Sequence, residues 1–276
     1  MSGTGDSIVT RSKLVEAFRR LGVEPGDTLM LHASVRAVGW VVGGPDVVLA
    51  ALLEVLGERG TLMMMVGWEE QVYDFPEWPA QRQAAYLGEC PAFDPASSRA
   101  NRRWSILTEY LRTWPGAMRS DHPEKSMAAV GRQAAWLTAD HPLHYGFGPG
   151  SPLAKLCAAG GRVLLLGAPL NSLTILHHAE DRAAVPRKRV VRYQMPVLVR
   201  GERRWVEIEE FDTCQGIVDW EGPDYFELIA QEYMADSGMR PGWVGGAISY
   251  LFPAAPLVDF AARWMERAFG PQPGGP

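Results

Sequence analysis

The chain has 276 residues, 47% of them apolar, and a net charge of −5. This length and apolar content suit one large globular domain or two small ones and exclude a disordered chain. The acidic balance argues against nucleic acid as a partner and leaves room for a cationic ligand.

In chain order, Thr10 can cap a helix that runs to about Leu21, where Gly22 stops it. Residues 28–32 read as a buried strand, 33–44 as a glycine-rich loop, and Pro45 opens a helix ended by Gly57. A second apolar strand spans 61–66, and the crossover helix between the two argues for a parallel pair. Residues 68–100, rich in Trp and Pro and without a clear period, resemble a binding loop or lid. A helix is expected over 101–114, a strand over 126–130, and a helix over 153–159. An apolar run at 163–166 reads as a buried strand ended by Gly167 and Pro169, with Asn171 or Ser172 capping a helix that opens on Leu173. Residues 189–199 and 205–210 read as a strand pair turned at 200–203. A helix near 224–234, a strand over 243–252 and a helix over 257–269 complete the chain. The whole is a mixed α/β domain, residues 1–270. It has a central, largely parallel sheet flanked by helices, plus a strand-pair and lid region. The Pro/Gly tail 271–276 is expected to fray.

Three widely spaced cysteines, Cys90, Cys157 and Cys214, make neither a disulfide framework nor a metal cluster and suit a reducing cytoplasm. No run reaches ~18 apolar residues, so no membrane span is expected, and residues 1–7 lack the apolar core of a signal peptide.

Three segments are candidate sites. On the helix after the 163–166 strand, Thr174, His177, Glu180 and Asp181 share one face at spacings of three and four. A titratable ring beside an acid that can hold its tautomer is what a general base needs. His178 points about 100° away, so it should not share the job. An ordinary surface or core His–Glu pair has the same spacing, so residue types leave both readings open. A metal site would need a third ligand that the scattered histidines do not supply. The loop around Ser34, Val35 and Arg36 lies at the end of a strand, where α/β sheets bind ligands. It could equally be a plain connection, and it is neither a P-loop nor a dinucleotide fingerprint. Residues 119–123 (RSDHP) read, from residue types, as a charged surface turn. Acids also gather at Glu69, Glu70, Asp74 and Glu77, and again from Glu209 through Asp212 to Asp224. Most of these should be solvated, but a few facing one cleft with Trp68 and Tyr73 would suit a multiply charged amine.

Six motifs, in this order and spacing, carry a resemblance over almost the whole chain: LHASVRAVG at 31–39, FDPAS at 93–97, RSDHPEKSMAAVG at 119–131, GSPLAKL at 150–156, LLLGAPLNSLTILHHAE at 164–180 and VGGAISYLF at 244–252. Together they resemble the aminoglycoside 3-N-acetyltransferases, acetyl-CoA-dependent antibiotic resistance enzymes. The resemblance implies direct transfer of an acetyl group from acetyl-CoA to an aminoglycoside 3-amino group, with His177 as general base and no metal. It implies that Glu221 orients the histidine and that Glu180 and Asp212 bind the substrate; the 68–98 region varies within that family, and there the acid and aromatic cluster makes Trp68, Glu69, Tyr73 and Asp74 further candidate contacts. Ser34, Val35, Arg36 and Ser120 would hold acetyl-CoA. From cysteine usage, charge and apolar run length, the expectation is a cytoplasmic protein that binds neither nucleic acid nor membrane, as a monomer or a homodimer. Two alternatives are an acyltransferase of the same fold for a non-antibiotic amine and a metal-dependent hydrolase using His177, His178 and Glu180.

Overall fold

The computed structural model describes residues 8–68, 72–101 and 103–270. Its helices, in chain order, are α1 (Arg11–Leu21), α2 (Val35–Val38), α3 (Pro45–Leu56), α4 (Ala80–Glu89), α5 (Ile106–Arg112), α6 (Ala134–Thr138), α7 (Pro152–Ala158), α8 (Ile175–Arg182), α9 (Tyr225–Ser237) and α10 (Ala254–Phe269). The strands are β1 (Thr28–Ala33), β2 (Thr61–Met65), β3 (Met118–Arg119), β4 (Met127–Gly131), β5 (Arg162–Leu166), β6 (Val190–Val199), β7 (Glu202–Phe211), β8 (Gly242–Val244) and β9 (Ala247–Pro253).

Among the described residues seven strands form one sheet in the order β3-β4-β2-β1-β5-β9-β8. Its centre, β2-β1-β5, is parallel; both flanks are antiparallel. The central strands are continuous apolar runs because both of their faces are covered. Met30, Met63, Val163 and Leu165 face a core shared with α6 to α10. Leu29, Leu31, Leu62, Leu164 and Leu166 face a core shared with α1, α3 and α5. This alternation is the two-residue period of a strand.

The connection positions the site. After β1 the chain crosses to β2 through α3 on one face; after β5 it enters α8 on the other. The carboxyl ends of β1 and β5 therefore lie at a topological switch point, where a crevice opens between diverging loops. The Ser34 N–H donates to Leu166 O (2.9 Å), tying the β1 loop to β5, and the Gly167 N–H donates to Ile248 O (3.0 Å), tying the β5 loop to β9. Gly167 has φ +64°, and a Cβ there would lie 2.6 Å from Ala37 Cβ, so only glycine lets the loops meet.

The second sheet is the hairpin β6–β7. Residues 72–90 pack on it through a small aromatic core that includes Tyr73, Trp78, Tyr86 and Tyr193. The expected lid thus holds a helix, α4. None of its residues is buried, and it anchors through Tyr86 against Trp205 (5.5 Å), so no apolar stripe marked it. Three other boundaries differ from expectation. The helix of 101–114 starts only at Ile106, where the Ser105 hydroxyl accepts from the Leu107 N–H (3.2 Å). The strand of 243–252 is a hairpin, β8–β9, turned at Gly245 (φ +59°). Residues 170–172 form a short 3-10 turn, and α8 begins after Thr174 instead of being capped by Asn171 or Ser172.

Glu109 pins the segment before α5. It accepts from Arg112 Nη2 (2.6 Å) and Nε (2.7 Å) and from the Ala100 N–H (2.9 Å). Partial burial opposes ionisation, but Arg112 and the Ala100 amide outweigh it and pull the carboxyl down to about 2. Its stabilising contribution is then complete above the ordinary carboxyl range and lost as pH falls through about 2. Urea unfolding at pH 5 and pH 3 should show a smaller loss on acidification in Glu109→Gln than in the wild type.

Candidate active site

A cavity of about 390 Å³ opens at the switch point. Its walls come from β1 and its loop (Leu31, His32, Ala33, Ser34), the end of β2 (Met64, Met65), Trp104 to Thr108, Glu124, Lys125, Phe147, the loop after β5, His177 and Thr213. The described donor set is organic rather than metal-like: no group of three His, Cys, Asp or Glu side chains converges among the described residues.

His177 sits on the first turn of α8, placed by Ile175, Leu176 and Ala179, which are buried in the core below. Its Nδ1 lies 2.6 Å from Glu180 Oε2. Glu180 is 1% exposed, and its other oxygen accepts from the Tyr225 hydroxyl. A carboxylate that accepts twice leaves Nδ1 as the protonated nitrogen and Nε2 as the one with a free lone pair. Phe147 stacks on the imidazole (5.1 Å, 6°) and Phe226 meets it edge-on (4.8 Å). These supports are themselves fixed. His178 Nδ1 donates to Phe147 O (2.8 Å). Asp224 caps α9 by accepting from the Phe226 N–H (2.9 Å), which sets both Tyr225 and Phe226.

This geometry revises the expected division of labour between the acids. Glu180, expected to bind substrate, has both oxygens engaged by His177 and Tyr225. Glu221, expected to orient the histidine, is exposed on the loop before α9. The three-residue spacing on one helix delivers Glu180 to Nδ1 directly, and Glu221 sits on a different loop. Burial keeps His178 below its usual range, and its bond to Phe147 makes it a support for the stacking ring.

The segment read as a surface turn, 119–123, is largely folded inward: Ser120, His122 and Pro123 are buried, Arg119 is partly buried, and only Asp121 is exposed. Arg119 donates to Val66 O (2.6 Å), Ser98 O and Ser126 Oγ (3.0 Å), and burial brings its guanidinium down to about 9. Ser120, expected near acetyl-CoA, is fully buried. Its hydroxyl donates to His141 Nδ1 (2.8 Å) and accepts from the Met127 N–H (2.9 Å), so it serves the network instead of the cavity. His122 Nδ1 accepts from the Lys125 N–H (3.0 Å), which puts the proton on Nε2, facing Glu210 Oε1 at 3.2 Å. Glu210 also takes the Gly146 N–H on both oxygens (3.0 Å each), and Lys125 Nζ lies 2.8 Å from its Oε2. Burial pushes the Glu210 carboxyl up, but His122 and Lys125 outweigh it and hold it below its usual range. Glu124, 2% exposed, accepts from the Tyr193 hydroxyl and lines the main cavity.

The loop expected to hold acetyl-CoA is only partly in the wall. Ser34 lines the cavity; Val35 and Arg36 do not, and Arg36 is exposed. The opening amides of α2, at Val35 and Arg36, have no intrahelical acceptor. His32 lies beneath; burial brings its imidazole down to about 4, so it is neutral at physiological pH. Ala33, Ser34 and Ala168 give the same cavity small side chains, and Met64 and Met65 give it apolar ones.

The expected amine contacts gather in an adjoining cavity of about 410 Å³, lined by Tyr73, Asp74, Glu77, Asp212 and Cys214 among others. Thr213, in the wall of the main cavity, places its Oγ1 3.1 Å from the hydroxyl of Tyr73, which lines the second cavity. Asp212 accepts from the Cys214 and Gln215 N–H groups (2.9 Å each). Trp68 packs on Phe93 (5.8 Å) behind this wall. Glu69 and Glu70 lie outside the described residues. Partial desolvation and the Asp212 carboxylate push the Cys214 thiol up to about 11, so it stays protonated and is no nucleophile.

Glu124, Lys125, Phe147, Thr213 and Tyr225 were not singled out from the sequence. The first two follow directly on the segment read as a surface turn, 119–123, and the others join the site only through contacts distant in sequence. Gly67 shows how tightly Glu124 is placed: a Cβ there would fall 1.8 Å from Glu124 O and 2.5 Å from the Trp104 ring. Gly67→Ala should destabilise the protein by about 3 kcal/mol through overpacking and lower its activity, as read by chemical denaturation and steady-state rates.

The fold, the switch-point cavity and the held histidine define an α/β enzyme with a buried His–carboxylate pair. Residues 30–266 match the family of aminoglycoside 3-N-acetyltransferases. The chain is 51% identical to aminoglycoside N(3)-acetyltransferase III of Pseudomonas aeruginosa, over 95% of each chain. Its fold is similar to that of AAC-IIIb solved as a binary complex with CoASH, with TM-score 0.90, 43% identity, and 98% of this chain and 100% of that one covered. It is also similar to AAC-VIa bound to sisomicin, with TM-score 0.89, 39% identity, and coverage of 96% and 100%. The chain belongs to the aminoglycoside 3-N-acetyltransferase family.

Proposed function

We propose that this protein transfers the acetyl group of acetyl-CoA to the 3-amino group of an aminoglycoside by direct attack, with His177 as the general base. The observation that carries this reading is the His177–Glu180 pair, 2.6 Å apart and opening on the switch-point cavity. Nε2 of His177 takes the proton that the attacking amine must lose. Glu180 holds the tautomer and stabilises the imidazolium that forms. Ser34, the loop residue in the cavity wall, is the candidate hydrogen-bond donor to negative charge developing on the thioester oxygen. Acetyl-CoA supplies the activated acetyl group. The relative solved with CoASH supports its place in this fold, and the relative solved with sisomicin supports a cationic partner. Asp212, Asp74 and Glu77 give the adjoining cavity the acids that substrate ammonium groups require. Both substrates held together need no covalent acyl-enzyme. Acetylation removes one positive charge and one donor from the drug, weakening its hold on an anionic RNA target and so giving resistance.

The test is thiol release from acetyl-CoA with a panel of aminoglycosides, followed by mass spectrometry and fragment assignment of the product. One added acetyl on the 3-amino nitrogen is the expected result. Thiol release with other amines but with no aminoglycoside would move the function to a non-antibiotic amine.

A further inference from the structure

Lys125 brings a positive charge to a site whose expected ligand is itself a cation. It is 1% exposed. Its Nζ lies 2.8 Å from Glu210 Oε2 and 4.6 Å from the centroid of the Phe147 ring. It is out of line for a hydrogen bond, and Nζ has no such partner among the described residues. Close behind it is a niche of only about 10 Å³, lined by Glu180, Asp181, Glu210 and Thr213. Lys125, Phe147, His177 and Thr213 are walls of both this niche and the main cavity. The lysine therefore stands on the boundary between them. A carboxylate on one side and an aromatic face on the other is a setting that binds alkylammonium groups.

We propose that Lys125 is a built-in ammonium: it occupies an acidic niche beside His177 that would otherwise receive an amino group of the substrate, and so restricts which aminoglycosides are accepted. Lys125 is thus a specificity-determining residue, and this rests on the reading of the protein as an aminoglycoside acetyltransferase. His122 faces one Glu210 oxygen through Nε2, and Lys125 brings its ammonium to the other. Removing it leaves Glu210 on the Gly146 amide and His122, ready for an external cation, and opens the niche to the cavity. A purely structural ion pair would instead affect all substrates alike.

The experiment compares kcat/KM for two aminoglycosides that differ by one amino group in place of a hydroxyl, in the wild type, Lys125→Ala, Lys125→Met and Lys125→Arg. In Lys125→Ala the preference for the amine-bearing member should rise about tenfold, mainly through KM. Lys125→Arg should keep the wild-type ratio. Lys125→Met keeps the bulk but loses the charge. It should lower KM for the more highly charged substrate more at low salt than at high salt, which carries the test if the alanine variant does not fold. Equal ratios in folded wild type and Lys125→Ala, or a salt response of Lys125→Met identical to the wild type's, would overturn the assignment. Wild type that turns over no aminoglycoside would take down the functional reading and this inference together; wild type that turns over with an unmoved ratio would take down this inference alone.

Discussion

His177→Ala lowers kcat/KM by about 10³-fold while acetyl-CoA still binds with near wild-type affinity, as measured by stopped-assay kinetics and calorimetry. The size is that of a lost general base. Binding should survive because the elements that shape the thioester end of the cavity do not depend on the imidazole. Ser34 is held by its N–H bond to Leu166 O, and Met64 and Met65 lie at the end of β2. The ring also packs against Phe147 and Phe226, so the substitution leaves a cavity. His177→Gln, closer in size, should share the kinetic loss with less cost in thermal stability. A variant keeping more than a tenth of the wild-type rate would remove His177 from the proton transfer.

Glu180→Gln lowers kcat by about 10²- to 10³-fold with little change in KM for the amine. A glutamine can still present an oxygen to His177 Nδ1, provided its amide nitrogen turns to the Tyr225 oxygen. That arrangement keeps the tautomer but withdraws the negative charge that stabilises the imidazolium. Glu180→Ala removes both and should fall further. Tyr225→Phe frees one carboxylate oxygen and should cost less than either; burial, then the neighbouring Glu180 charge, holds the Tyr225 hydroxyl protonated and donating. The split between constants decides the role. A raised KM with intact kcat would return Glu180 to the ammonium contact that the family resemblance implies, and would leave His177 without its orienting acid.

Much of the fold was legible because its signals are local. The apolar runs of β1, β2 and β5, the Thr10 and Pro45 helix starts, the Gly22 and Gly57 stops and the β6–β7 turn all follow from residues close in sequence. α4 was missed because its packing depends on a single tyrosine. The start of α8 slipped because Pro169 to Ser172 satisfy their backbone in a 3-10 turn first. His177 and Glu180 were legible as a pair, since three-residue spacing on a helix brings side chains together without tertiary help.

The sequence by itself determined the family, the mixed α/β class, the helix that carries His177 and the loop that carries Ser34. Only the tertiary structure decided which acid meets which nitrogen and which charges are buried. Glu180 is taken by His177 and Tyr225, and Glu221 is left in solvent. Ser120 is engaged by His141, and Arg119 and Lys125 are turned inward against Val66 and Glu210. A charged residue's cost of burial depends on partners supplied by distant segments. Residues 146, 193, 210 and 225 bring those partners to the site, and no local pattern announces them.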